Sequence, residues 1–266
     1  MFDIFQYGFI VRGLEAGVIA ALTAPLIGIF LVLRRYALIA DTLAHVSLAG
    51  IAVGLLSGIH PTVAALAAAV LASFGIERLR IGKKVYGESA LALFLSGSLA
   101  LAIVLLSMGR GTGANITSYL FGSIVTVSAT DVAVMFGLGI LILAAVAAFY
   151  KELVFIAFDE DAAMVSGIPA RAINALLIVL TALAVSLSIP IVGILLVSAL
   201  LVIPAVTAFL FRKSFIATIF IAEIVSLSSV IAGIFASFYF NLSTGGTIVL
   251  IMLGFFLLTL TLTRRR

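Results

Sequence analysis

Asp41 and His45 stand four residues apart in the apolar run Leu38-Ile-Ala-Asp-Thr-Leu-Ala-His-Val-Ser-Leu-Ala-Gly50. On a helix that spacing puts both side chains on one face. An ionisable group inside a membrane span is costly and marks a functional position by default. If the helix begins near Tyr36, a rise of ~1.5 Å per residue carries His45 roughly 13 Å in, close to the middle of a ~30 Å hydrocarbon core. A neutral imidazole and a carboxylate are ligands for Zn²⁺ or Mn²⁺, the carboxylate oxygen favouring the harder ion. The same pair could instead tie two helices together through an Asp–His hydrogen bond. Spacing alone leaves both readings open.

Other polar groups fall within apolar stretches. Glu223, in Ile221-Ala-Glu-Ile-Val-Ser-Leu-Ser-Ser229, is a candidate third metal ligand or the partner of a buried arginine. Arg12 and Glu15, three residues apart, read as an internal ion pair or as snorkelling side chains. Asp131, just after Ser128, reads as the charge or cap that starts a helix. His60 precedes Pro61 in a short turn, where it could touch an incoming metal, although a solvated loop histidine is the simpler account.

A second region points outward. Phe158-Asp-Glu-Asp-Ala-Ala-Met-Val-Ser-Gly-Ile-Pro169 is the longest polar interruption of the chain. Asp159, Glu160 and Asp161 favour the N-terminus of a short helix through its dipole. Ala162, Val165 and Ile168 would share an apolar face, and Gly167 with Pro169 would end the helix. Such a helix is a docking surface for another subunit or a solvated connector, and its sequence fits either. No G-x-x-x-x-G-K-[ST] motif is present, and Gly82-Lys83 lacks the upstream glycine. H-E-x-x-H and a Ser/His/Asp set are also missing, so the expected role is not enzymatic. If the protein pumps, another chain hydrolyses the ATP.

The elements that must position these residues follow from composition. Of 266 residues 64% are hydrophobic and 10% charged. Soluble domains sit near 45–50% apolar and ~25% charged, which excludes a soluble fold. With no cysteine, disulfides and thiolate metal sites are excluded. At about 20 apolar residues per crossing, spans fall at 9–33, 38–58, 61–77, 90–108, 130–149, 171–188, 190–211, 214–238 and 245–262, with 116–128 as a partial or re-entrant helix. The expectation is an all-α polytopic bundle of eight or nine spans in one domain, 1–266, with a cytoplasmic loop near 151–170. Nine spans require a break at Ser188-Ile189-Pro190. The start, Met1 to Gly8, carries Asp3 and no basic residue, unlike a signal peptide.

The net charge of +4 sits in clusters between spans rather than on one face, so nucleic acid is discounted as a partner. Arg34-Arg35, Arg78 to Lys84, Lys151, Arg212-Lys213 and Arg264 to Arg266 fall at alternate ends of the nine spans. The positive-inside bias then puts the N-terminus outside and the C-terminus in the cytoplasm, with Arg110 alone outside.

Several segments resemble one family, the ABC-3 type permeases for zinc, manganese or iron. Leu33-Arg-Arg-Tyr-Ala-Leu-Ile-Ala-Asp-Thr-Leu-Ala-His45 is similar to its Arg-Arg…Gly-Asp-x-x-Ser-His pattern, with Ala40 and Ala44 replacing Gly and Ser. Tyr119 to Ser128, Val197 to Ala208 and Ser237 to Val249 follow in the family's order, with Asn241 where many members carry Asp. Asp161-Ala-Ala-Met-Val-Ser-Gly167 resembles the importer loop Glu-Ala-Ala-x-x-x-Gly, Asp replacing Glu. The resemblance implies a homodimeric permease in a plasma membrane, working by alternating access. It implies cytoplasmic ABC ATPase subunits coupled through Asp159, Glu160, Asp161, Ala162, Val165 and Gly167. It also implies metal delivery by an extracytoplasmic metal-binding protein. The divalent metal, Zn²⁺ or Mn²⁺, is cargo, and no permanently bound cofactor is expected. Competing readings are a permease for a metal chelate or siderophore, and an ion-coupled secondary transporter with Asp41 or Glu223 carrying the proton.

Overall fold

The computed structural model describes residues 6–81, 87–108 and 113–263. Lys83, Lys84, Arg110 and Arg264 to Arg266 of the basic clusters lie outside them. Among the described residues there is no strand, as expected where a helix must satisfy its own backbone groups in lipid. The first half comprises α1 (Gly8–Leu33), α2 (Leu38–Ser57), α3 (Pro61–Ile81), α4 (Gly87–Met108) and α5 (Gly113–Phe121). A 3-10 turn (Ile124–Thr126) follows, then α6 (Ala129–Ala148), α7 (Tyr150–Phe158) and α8 (Glu160–Val165). The chain continues through α9 (Ala170–Val192), α10 (Val197–Phe209), α11 (Phe215–Phe240) and α12 (Thr244–Thr263).

Eight of these, α1, α2, α3, α4, α6, α9, α11 and α12, are long and apolar enough to cross a membrane. The most deeply buried are α1, α2 and α9, while α4 is almost bare. Small residues let the central helices approach closely, the usual means of packing in lipid. Gly17 faces Val230 and Ile234 of α11. Gly28 lies so near α10 that a Cβ there would sit 1.8 Å from the Leu201 carbonyl oxygen.

The ninth crossing differs from its hydropathy reading. The break falls at Gly193, not at Ser188-Ile189-Pro190: α9 runs through Pro190 to Val192, and the chain turns at Gly193 with φ +85°. At 13 residues α10 spans only about 20 Å, short of a ~30 Å core. Its contact with Gly28, five residues before the end of α1, puts it in the half of the bundle nearer Arg34. Residues 193–196 complete the passage as non-helical backbone, tolerable at that depth only when paired inside protein. That pairing is present: Ile194 N–H donates to the Tyr119 carbonyl at 2.9 Å, Leu195 N–H to Leu120 at 3.2 Å, and Ser123 N–H to Pro190 at 3.1 Å. The segment expected as a partial helix therefore splits into α5 and the 3-10 turn, and its junction supports the unwound stretch. Gly122, at φ +73°, makes the approach possible, since a Cβ there would lie 2.4 Å from the Ile191 oxygen.

The first and last described helices start and finish at opposite ends of the bundle. Tyr7 and Phe9, at the start of α1, stack on Phe238 near the end of α11, with ring centroids 6.1 and 6.4 Å away. Phe30, near the end of α1, meets Phe215 at the start of α11 at 5.6 Å. Thr263 closes α12 beside Arg212 and Lys213, at that same end.

Candidate metal path and docking helix

The turn from α1 into α2 fixes where the Asp/His face begins. Arg35 N–H donates to Val32 O at 3.1 Å, and Tyr36 N–H to Leu31 O at 2.8 Å. These bonds form a Schellman closure, with Arg35 in the left-handed position at φ 58°. α2 then starts at Leu38 with Asp41 in its first turn, where a carboxylate is favoured by the helix dipole. Asp41 and His45 are both half-buried, and Thr42, Leu43 and Ala44 between them are buried. α2 packs against α3, α4, α9 and α10. The Nδ1 atom of His45 is buried and has no hydrogen-bond partner among the described residues. A buried polar atom left unpaired costs about 1–3 kcal/mol, a cost that an incoming ligand or ion removes.

Glu223 is placed elsewhere. It projects from α11, which packs on α1, α10 and α12. Its Oε2 is buried without a partner, as is Ser226 Oγ one turn further on. Among the described residues no group of three His, Asp or Glu converges to hold a metal ion. The structure thus brings Asp41 and His45 onto one face and does not bring Glu223 to them.

The remaining polar residues take structural roles. Arg12 Nε donates to the Val127 carbonyl at 2.9 Å, so its bond is to backbone and not to Glu15. Asp131 and Ser128 form a capping box at the start of α6, and Thr62 of α3 donates to Asp131 Oδ1 at 2.9 Å. His60 is exposed, and its carbonyl accepts from Val63 and Ala64 at the start of α3.

The acidic segment forms α8. Asp159 is its N-cap and accepts from Ala162 N–H at 2.9 Å. Gly167, at φ +85°, closes the other end: its N–H donates to Met164 O at 3.1 Å, and Ile168 N–H donates to Ala163 O at 3.0 Å. The outward face differs from the expected one. Val165 is 91% exposed and Phe158 and Met164 also face out, whereas Ala162 and Ile168 are half-buried and Ala163 is buried. Glu160 turns inward, where its carboxylate meets the Arg34 guanidinium and accepts from Asn174 Nδ2 at 2.7 Å. Arg34 also donates to the Asn174 side-chain oxygen. In the sequence Arg34 reads as an orientation marker and as part of the family's Arg-Arg pattern, with no partner named for it. The signal that could have revealed this contact is Asn174, an amide near the start of an apolar span.

A bundle with eight full-length apolar helices, a ninth crossing made by α10 and a stretch of paired non-helical backbone, an ionisable face within one span and a capped helix presented at one end defines a polytopic membrane transport protein. The chain belongs to the ABC 3 transport family, whose model matches residues 6–263. It is 38% identical over 259 residues to a probable metal transport system membrane protein of Treponema pallidum, covering 97% of each chain. It is 31% identical to the manganese transport system membrane protein MntC of Halalkalibacterium halodurans, covering 94% of this chain and 85% of that one. The solved structure of PsaBC from Streptococcus pneumoniae in complex with Fab matches with a TM-score of 0.87 at 29% identity, over 97% of this chain and 92% of that one.

Proposed function

We propose that this protein is the permease subunit of an ATP-driven importer that moves a divalent transition metal, Mn²⁺ or Zn²⁺, into the cytoplasm by alternating access. The observation that carries this reading is the Asp41/His45 face, with an unpartnered buried imidazole nitrogen, in a membrane span of an ABC 3 family chain. The manganese transport named for its relative supports the choice of cargo. One copy supplies one carboxylate and one imidazole, too few for a tight site. A second copy across a shared path doubles them, and water completes the shell. A weak, incomplete site suits transport, since the ion must leave as readily as it enters.

The bias of basic clusters toward the cytoplasmic side supports an orientation with the Arg34 end of the bundle, and Thr263 with it, facing the cytoplasm of a plasma membrane. There α8 presents Val165 and Met164, with Phe158 at the end of α7 beside them, to separate ATPase subunits. An extracytoplasmic metal-binding protein delivers the ion at the opposite end. The test is ATP hydrolysis by the reconstituted permease–ATPase complex, measured with its binding protein over a panel of divalent ions. Stimulation by Mn²⁺ or Zn²⁺ and not by Mg²⁺ or Ca²⁺ supports the reading. Indifference to every ion, or stimulation by a ferric chelate alone, contradicts it.

A further inference from the structure

We infer that Arg34, held by Glu160 and Asn174, is the strut through which movement of the docking helix α8 reaches the metal-bearing helix α2; the inference rests on the importer reading above. The Arg34 side chain is only 6% exposed although it belongs to a basic pair at a membrane edge. One guanidinium nitrogen binds Glu160 of α8 and another binds Asn174 of α9. The second Glu160 oxygen accepts from Asn174 at 2.7 Å, which closes a triangle across three segments of chain. The guanidinium also lies 5.0 Å from the Tyr36 ring centroid, an added hold on its orientation.

The two sides of this triangle differ. At six residues α8 is too short to be stable alone, so what it touches sets its position. On the other side Arg34 sits in the bonded α1–α2 turn, and Asp41 follows seven residues later in the first turn of α2. A push on α8 is therefore passed as a charged, two-point contact to the base of the helix that carries Asp41 and His45. Backbone continuity alone would send that push into α7 and α9.

Two variants test the strut in the complete permease–ATPase complex. Glu160→Gln removes the charge from a side chain that is 38% exposed, and Asn174→Leu removes the amide from α9 while keeping its branched outline. The reading is metal moved per ATP hydrolysed, with ATPase copurification measured alongside. Each variant should lower that ratio by about five- to tenfold, the range of a modest coupling between sites, while the ATPase still copurifies. An unchanged ratio overturns the strut. So does loss of copurification, which would make Glu160 part of the docking surface, and so does failure of both variants to accumulate in the membrane, which would make the triangle only structural. If the unmodified complex moves no metal, the importer reading itself falls and the strut falls with it.

Discussion

His45 Nδ1 is a buried nitrogen with no hydrogen-bond partner among the described residues, and Asp41 shares its helix face one turn closer to the Arg34 end. An open Nδ1 leaves one ring nitrogen available to a ligand, whichever group Nε2 meets. The pair was legible in the sequence because two ionisable residues at a spacing of four stand out in an apolar run. The place of Glu223 was not legible, since nothing in a linear hydropathy pattern says which neighbours a helix face meets. Close approaches such as Gly28 were equally hidden, because a glycine in an apolar span has no periodic signature. Gly28→Ala should push α1 off Leu201 and cost about 1–3 kcal/mol of stability, the usual toll of overpacking. A lowered unfolding temperature of the purified variant in detergent would show it. An unchanged temperature would mean that the α1–α10 contact relaxes freely.

At the scale of elements, the long helices were readable to within a few residues because ~20 apolar residues per crossing is a strong rule. The α9–α10 break was not. Proline is tolerated inside membrane helices when neighbours satisfy the freed backbone, so Pro190 sits within α9 while Gly193 does the turning. The ends of α8 were legible from Asp159 and Gly167, a capping aspartate and a glycine at the left-handed position. Its faces were not, because Glu160 is drawn inward by Arg34, a residue more than a hundred positions away. The docking surface is then best tested at Val165, whose side chain is 91% exposed. A charge there, as in Val165→Asp, should leave α8 folded and weaken ATPase binding by about tenfold or more, equivalent to ~1.4 kcal/mol. Copurification at the unmodified level would move the docking surface elsewhere. Gly167 is a poorer probe: any side chain at its φ of +85° strains the helix end regardless of what docks there.

For the whole molecule, an odd number of crossings follows from Tyr7 and Thr263 lying at opposite ends of the bundle, with α10 and residues 193–196 forming the pass that hydropathy alone left between eight and nine. Since the protein has no cysteine of its own, single substitutions report the sidedness of each end. Ser243→Cys, at the Tyr7 end, should react with an impermeant maleimide in intact cells, and Ser166→Cys, beside α8, only after permeabilisation. Reaction of both from outside would overturn the orientation. On the proposed reading the ion path needs the assembled complex, because Asp41 and His45 supply one carboxylate and one imidazole per copy. The most direct measurement is ATP-driven Mn²⁺ and Zn²⁺ uptake into proteoliposomes containing the permease, its ATPase and its binding protein. Unmodified permease is compared with Asp41→Asn, which keeps the shape but loses the charge, and with His45→Ala, which removes the nitrogen. Both variants should assemble normally and lose uptake by about tenfold or more, the effect of removing ~1.4 kcal/mol from the path. Uptake at the unmodified rate by both variants, in complexes that assemble fully, would show that the ion does not pass along the Asp41/His45 face.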